Sequence, residues 1–144
     1  MLQRLQHGHP IEELGTVVTA TDVLACQEAV RDVHVDDKVR RYLLEIVQGT
    51  RTHDDIQLGG SPRASIALFR TAQALAAIQG RNFVLPDDVK RMVQPVMAHR
   101  LILRPESRLR KVTAAALLHE IVGDVRVPVP AHRDDRQDMF ANDR

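Results

Sequence analysis

The chain has 144 residues and contains one cysteine, no tryptophan, one tyrosine and three phenylalanines. A lone thiol, Cys26, excludes an internal disulfide and any metal site built from several cysteines. It suits a reducing compartment, so a cytoplasmic protein is expected. So few aromatics leave Leu, Ile, Val, Ala and Met to build the interior, which suits packed helices. No apolar run approaches membrane-spanning length, and no membrane partner is expected. The opening MLQRLQHGHP lacks the hydrophobic region of a secretion signal. The formal charge is +1, so nothing global argues for nucleic acid or acidic partners. No glycine is followed by lysine, which excludes a G-x-x-x-x-G-K-[ST] phosphate loop. No apolar strand ends in Asp-Glu, so the carboxylate pair that would hold Mg²⁺ and water for phosphoryl transfer is missing too.

What is present is helical periodicity. Residues 1–14 read as a short helix stopped by Gly8 and Pro10. Val17-Val18 reads as extended. Thr21 is then an N-cap with Asp22 in the first turn, and Val23, Cys26, Val30 and Val33 follow at helical spacing. Asp36 caps a second helix, whose Val39, Tyr42, Leu43, Ile46 and Val47 form one stripe; Gly49 lies near its end, with a loop over residues 52–60. A third helix starts at Pro62 and runs to about Gln79, with Gly80 ending it. Phe83-Val84 is extended, and Pro86 opens a fourth helix that Pro95 should break. Residues 101–103 are extended and could pair with Val17-Val18 or Phe83-Val84. Thr113 caps a fifth helix, with Leu117, Leu118, Ile121 and Val122 inward and Gly123 closing it. Each helix is too short to stand alone in water. The expectation is an all-α fold: a small bundle of about five helices with at most a tiny β ribbon. The tail AHRDDRQDMFANDR has only Met139 and Phe140 as large apolar groups and is read as loosely attached.

The stretch LGGSPRAS, residues 58–65, breaks a local rule. Two glycines permit a tight, left-handed turn. Ser61 is the N-cap, Pro62 the first helical residue and Arg63 the second. The core stripe of this helix is Leu68, Phe69, Ala72, Leu75 and Ala76. Arg63 lies about half a turn from its centre, on the face with Ala67 and Arg70. A cation within the positive end of a helix dipole is unfavourable by about 0.3–1 kcal/mol. The sign reverses if an anion docks there, because helix-start N–H groups and a forked guanidinium together suit phosphate. Two readings of Arg63 stand at this point: a solvated arginine, or half of a phosphate site.

Other chemistry-bearing residues take plainer readings. Arg70 is a surface residue or a contact to a second subunit. Cys26 is a small core group. His7-Gly8-His9 lacks a third metal ligand, so no metal site is expected. His99 and Arg100 stitch the following extended segment to the bundle. The acid pairs Asp36-Asp37, Asp54-Asp55 and Asp87-Asp88 lie at helix starts or loops, where the dipole accounts for two of them. Arg104, Arg108, Arg110 and Lys111 form a basic cluster without interleaved aromatics, read as a solvated loop or a subunit contact.

The stretch LGGSPRAS and the following ALFRTAQALAAIQGRNFVLPDDVKRMVQPVMAHRLILRPE closely resemble the C-terminal lid of the MoxR-type AAA+ ATPases, and VVTATDVLACQEAVRDVHVDD and TRTHDDIQLGGSPR fit the same pattern. The resemblance covers residues 2–128. It implies a layout of residues 1–16 as a linker or helix from an ATPase core, 17–130 as the helical lid and 131–144 as a flexible tail. It implies that Arg63 is the sensor 2 residue, reaching the phosphates of ATP on a core domain, with Ser61 and Pro62 shaping the turn. It further implies ATP and Mg²⁺ bound mainly outside this chain, with none on the lid alone, and ring-forming neighbours and its own ATPase core as partners. Chaperone-like remodelling of clients with von Willebrand factor A domains is implied as well. Gly60 stands where many members have Ala, which should loosen the turn. Leu85 stands where Thr is common, which removes an N-cap. Thr50-Arg51 also matches the family, and is read as a local structural contact. The alternative is a free-standing helical interaction adaptor, or a small DNA-binding bundle using the arginine-rich segment, although nucleic acid is not expected.

Overall fold

The computed structural model describes residues 15–128. The expected N-terminal helix of residues 1–14 and the tail from Ala131 lie outside the described residues. The chain divides into two compact units, Met1–Asp32 and Val33–Arg144.

The described part of the first unit is helix α1, Ala20–Arg31. Its N-cap is Thr19, not the expected Thr21. Asp22 then falls at the third helical position and reciprocates: the Thr19 N–H donates to the Asp22 carboxylate at 2.8 Å, and the Asp22 N–H to Thr19 Oγ1 at 3.2 Å. That closed capping box satisfies two helix-start donors at once, which Thr21 could not do. Val17-Val18 is exposed and joins no strand.

The second unit holds the core. Asp36 caps helix α2, Asp37–Thr52, accepting the Lys38 N–H at 2.8 Å. Its expected stripe, Val39, Tyr42, Leu43, Ile46 and Val47, is buried throughout. The helix runs three residues past Gly49. Strand β1, Ile56–Leu58, lies inside the expected loop. Helix α3, Pro62–Ile78, buries Ala64, Leu68, Ala72, Gln73 and Ala76. It ends as Gly80 anticipates: φ is +73° there, and the Gly80 and Arg81 N–H groups return to the Ala77 and Ala76 carbonyls, each at 2.9 Å. Helix α4, Pro86–Met97, packs most closely against α3.

Pro95 does not break α4. Its side is exposed, and only two helical residues follow it before a 3-10 turn, Ala98–Arg100. The missing N–H therefore falls in a last turn that was about to change hydrogen-bonding pattern anyway.

Strand β2, Ile102–Leu103, pairs antiparallel with β1, with Ile56 opposite Leu103 and Leu58 opposite Ile102. Neither expected partner is used. Phe83 instead makes a single parallel bridge to His34, with the Val84 N–H donating to the His34 carbonyl at 2.9 Å. The β1–β2 register buries Ile56 and Leu103, which selects it. Helix α5, Pro105–Leu109, is too short to show a period in sequence. Thr113 caps helix α6, Ala114–Asp124, accepting the Ala116 N–H at 3.2 Å. Leu117, Leu118 and Ile121 are buried, as anticipated. The described fold is an all-helical bundle with one small antiparallel ribbon.

Candidate functional site

The site begins in the last turn of α2. Thr50 is fully buried. Its hydroxyl donates to the Val47 carbonyl at 2.6 Å and accepts the Gly60 N–H at 2.8 Å. The neighbouring Arg51 Nε donates to the Gly60 carbonyl at 2.7 Å. Consecutive residues of one helix thus hold both peptide groups that flank the Gly60 Cα.

Gly59 is needed for closeness, not for handedness. Among the described residues only Gly80 and Lys111 have positive φ, so the expected left-handed turn at 59–60 is absent. A Cβ on Gly59 would run into the Thr50 carbonyl and stand 2.8 Å from Arg51 Cα. On Gly60 it would meet Met97 Cε at 2.5 Å and Val47 Cγ1 at 3.0 Å. Gly60 eases this fit without being demanded by it, since Met97 Cε is the end of a flexible side chain. It lets the turn seat against α2 and α4.

The α3 start follows from that anchor. Ser61 is extended (φ −75°, ψ 167°) and caps the helix, its Oγ accepting the Ala64 N–H at 3.4 Å and its carbonyl accepting the same N–H at 2.9 Å. Pro62 has no N–H, and that of Ala64 is taken. The cationic donor left at this helix start is the Arg63 guanidinium. Arg63 is exposed, and among the described residues it has no hydrogen-bond or ion-pair partner. Beside the turn lies a groove of about 510 Å³ bordered by residues 57–62, Arg51 and Arg100; Arg63 is not among its lining residues. Arg100 Nε donates to the Val96 carbonyl at 3.0 Å.

The other candidates resolve differently. Arg70 serves its own helix: its guanidinium donates to Gln73 Oε1 at 3.0 Å and lies 5.7 Å from the Phe69 ring centroid. Cys26 is exposed, which overturns its reading as a core group. Among the described residues, none of helix α1, in which it sits, is buried. His99 is exposed. His7 and His9 lie outside the described residues, and among those described no group of three His, Cys, Asp or Glu is placed to hold a metal. The basic cluster is partly spent on structure. Arg110 pairs with Asp55, whose carboxylate also accepts the Ser107 hydroxyl at 2.6 Å. The Ser107 bond, helped by Arg110 and His53 against the cost of burial, holds the Asp55 carboxyl below its usual range.

Sequence reasoning missed the buried polar groups. Gln73, 2 % exposed, sends its amide to the Val33 carbonyl at 2.8 Å. Asp88 is also 2 % exposed, and the helix dipole alone does not account for it. It accepts both Arg81 Nη groups and the Leu85 N–H, the last at 2.8 Å. That last bond offsets the N-cap lost with Leu85. The spacing Leu85-x-x-Asp88 was the available signal, since it is the returning half of a capping box.

The AAA lid domain family matches residues 48–121. The chain is 41 % identical over 129 residues to the uncharacterized protein YeaC of Bacillus subtilis (strain 168), covering 90 % of this chain and 40 % of the relative. It is 26 % identical over 121 residues to the chaperone MoxR1 of Mycobacterium tuberculosis, covering 78 % of this chain and 32 % of the relative. A crystal structure of a candidate ATPase from Cytophaga hutchinsonii shares the fold, with TM-score 0.80 at 24 % identity, over 88 % of this chain and 41 % of that one. The chain thus spans two fifths or less of the length of these curated relatives.

Proposed function

The chain belongs to the AAA lid domain family as a MoxR-type lid, and on that premise we propose that Arg63 is its sensor 2 arginine, contributed to ATP bound on an adjoining ATPase core. The observation that carries this reading is an exposed guanidinium with no partner among the described residues, at the start of a helix anchored on α2. The donor set suits a terminal phosphate. Arg63 can fork onto two phosphate oxygens, and the positive end of α3 adds to the attraction instead of opposing it. ATP supplies the phosphoryl chemistry. Mg²⁺ belongs with carboxylates of the core, and the reading assigns it no ligand in this chain.

Arg63 then binds the γ-phosphate, and Ser61 and Pro62 set the angle at which it does so. Loss of that phosphate removes a contact between lid and core and lets the lid swing. The partners on this reading are the chain's own ATPase core and neighbouring ring subunits. The work is chaperone-like remodelling of cytoplasmic clients, with von Willebrand factor A domain proteins as the client class. The test is Arg63→Ala in the ATPase that carries this lid. ATP turnover should fall at least about tenfold, equivalent to about 1.4 kcal/mol of transition-state stabilisation, with the helical circular dichroism of the lid unchanged. Unaltered turnover would remove the sensor assignment.

A further inference from the structure

Arg63 stands three residues after Gly60, and everything between them is a cap and a proline. The cap and the proline fix where α3 begins, and how that start is held against α2 depends on Gly60. There, both neighbouring peptide groups are bound to side chains from outside the turn: the N–H by Thr50 Oγ1 at 2.8 Å and the carbonyl by Arg51 Nε at 2.7 Å. The Thr50 hydroxyl is itself oriented, because it spends its proton on the Val47 carbonyl at 2.6 Å and so presents a lone pair to Gly60. Gly59 lies against the backbone of the same two residues, too close for any Cβ. Thr50 and Gly60 are both buried, so water cannot take over the lost bond.

We infer that Thr50 and Arg51 are positioning residues for Arg63: they lock the 59–60 turn to the end of α2 and so hold the guanidinium at the place and angle a nucleotide phosphate requires. This rests on the reading of Arg63 as the phosphate-contacting residue. A misplacement of about 1 Å is enough to cost two orders of magnitude in a positioned group's effect, so a loosened turn lowers turnover without removing any group that touches ATP.

The test is a double-mutant cycle in the ATPase that carries this lid, using Thr50→Val, Thr50→Ser and Arg51→Ala alone and combined with Arg63→Ala. Thr50→Val keeps the shape and removes the acceptor; it should lower kcat about tenfold. Thr50→Ser keeps the hydroxyl and should restore most of it. Arg51 is exposed, so Arg51→Ala tests the other bond should Thr50→Val fail to fold. In the Arg63→Ala background, neither Thr50→Val nor Arg51→Ala should lower kcat further, because residues that act through one group are non-additive. Amide exchange of Gly60 in the 144-residue chain should speed up with Thr50→Val. If Arg63→Ala leaves turnover intact, the sensor reading fails. If Arg63→Ala lowers turnover while both clamp variants leave it intact, or lower it equally with and without Arg63, the positioning role is overturned and the sensor reading survives.

Discussion

Arg81 grips the carboxylate of Asp88 with both Nη groups, at 2.8 and 2.6 Å, and the acid so held is almost wholly buried. Arg81 is the residue immediately after the glycine that ends α3, and Asp88 lies in the first turn of α4. One ion pair therefore ties the end of α3 to the start of α4, the two helices that pack most extensively on each other. The guanidinium also donates to the Phe83 carbonyl at 2.9 Å, tying the intervening segment into the same joint.

Removing Arg81 strands a buried carboxylate. Breaking a fully buried pair from one side costs about 3–5 kcal/mol. Arg81 keeps some solvent contact, 21 % of its side chain, so the expected loss for Arg81→Ala is about 2–4 kcal/mol. Urea denaturation followed by circular dichroism measures it. A loss below about 0.5 kcal/mol, the size of an ordinary surface change, would contradict the assignment.

The same pair makes stability fall in acid. Burial pushes the Asp88 carboxyl upward, but the Arg81 hydrogen bonds, the Leu85 N–H and the nearby Arg81 and Arg91 charges outweigh it, and its pKa lies below the ordinary value. A depressed folded pKa means stability that is complete above the unfolded value of about 3.9 and is lost as pH falls through the folded value. Melting temperatures should therefore hold steady down to about pH 4 and decline below it. Asp88→Asn should flatten that decline, leaving the share contributed by Asp55 and Asp22, whose pKa values are lowered too. An unchanged acid slope in Asp88→Asn would count against Asp88 as its main source.

Tyr42 presents the opposite case. Its side chain is 1 % exposed, and no partner for its hydroxyl lies among the described residues. Burial, with the charge of Asp87 behind it, raises its pKa. A buried polar group without a hydrogen bond costs about 1–3 kcal/mol. Tyr42→Phe keeps the ring and removes that cost, so it should stabilise the chain by about 1 kcal/mol. For a domain of this size that is a rise in Tm of about 4 °C. A fall in Tm would mean that the hydroxyl is satisfied.

One arginine does not make a nucleotide site. A charge-assisted hydrogen bond contributes about 1.5–3 kcal/mol, whereas a Kd of 1 mM requires about 4.1 kcal/mol. Isothermal calorimetry of the 144-residue chain with Mg²⁺ and ATP should show no saturation below about 1 mM nucleotide. Micromolar binding would mean that further groups of this chain, such as Arg51 and Arg100 along the groove, hold the ligand as well.

Much of this architecture is written locally. Asp36, Thr113, Pro62, Pro86 and Gly80 mark helix ends because a cap, a missing N–H or a positive φ acts within one turn of chain. The α2 stripe is readable because apolar groups at 3.6-residue spacing share a face wherever that face ends up. The same local rules singled out Arg63 and the serine and proline before it. They could not supply the strand partner of Ile102-Leu103, the acid that Arg81 grips, or the reason for Gly59 in a turn without positive φ. Those depend on which atoms the packed bundle brings within about 3 Å of each other. Thr50 and Gly60 are ten residues apart, and Asp55 and Ser107 fifty-two. A hydrogen bond is decided by distance in space, and only the closing of α2, α3 and α4 around one interior makes such residues neighbours.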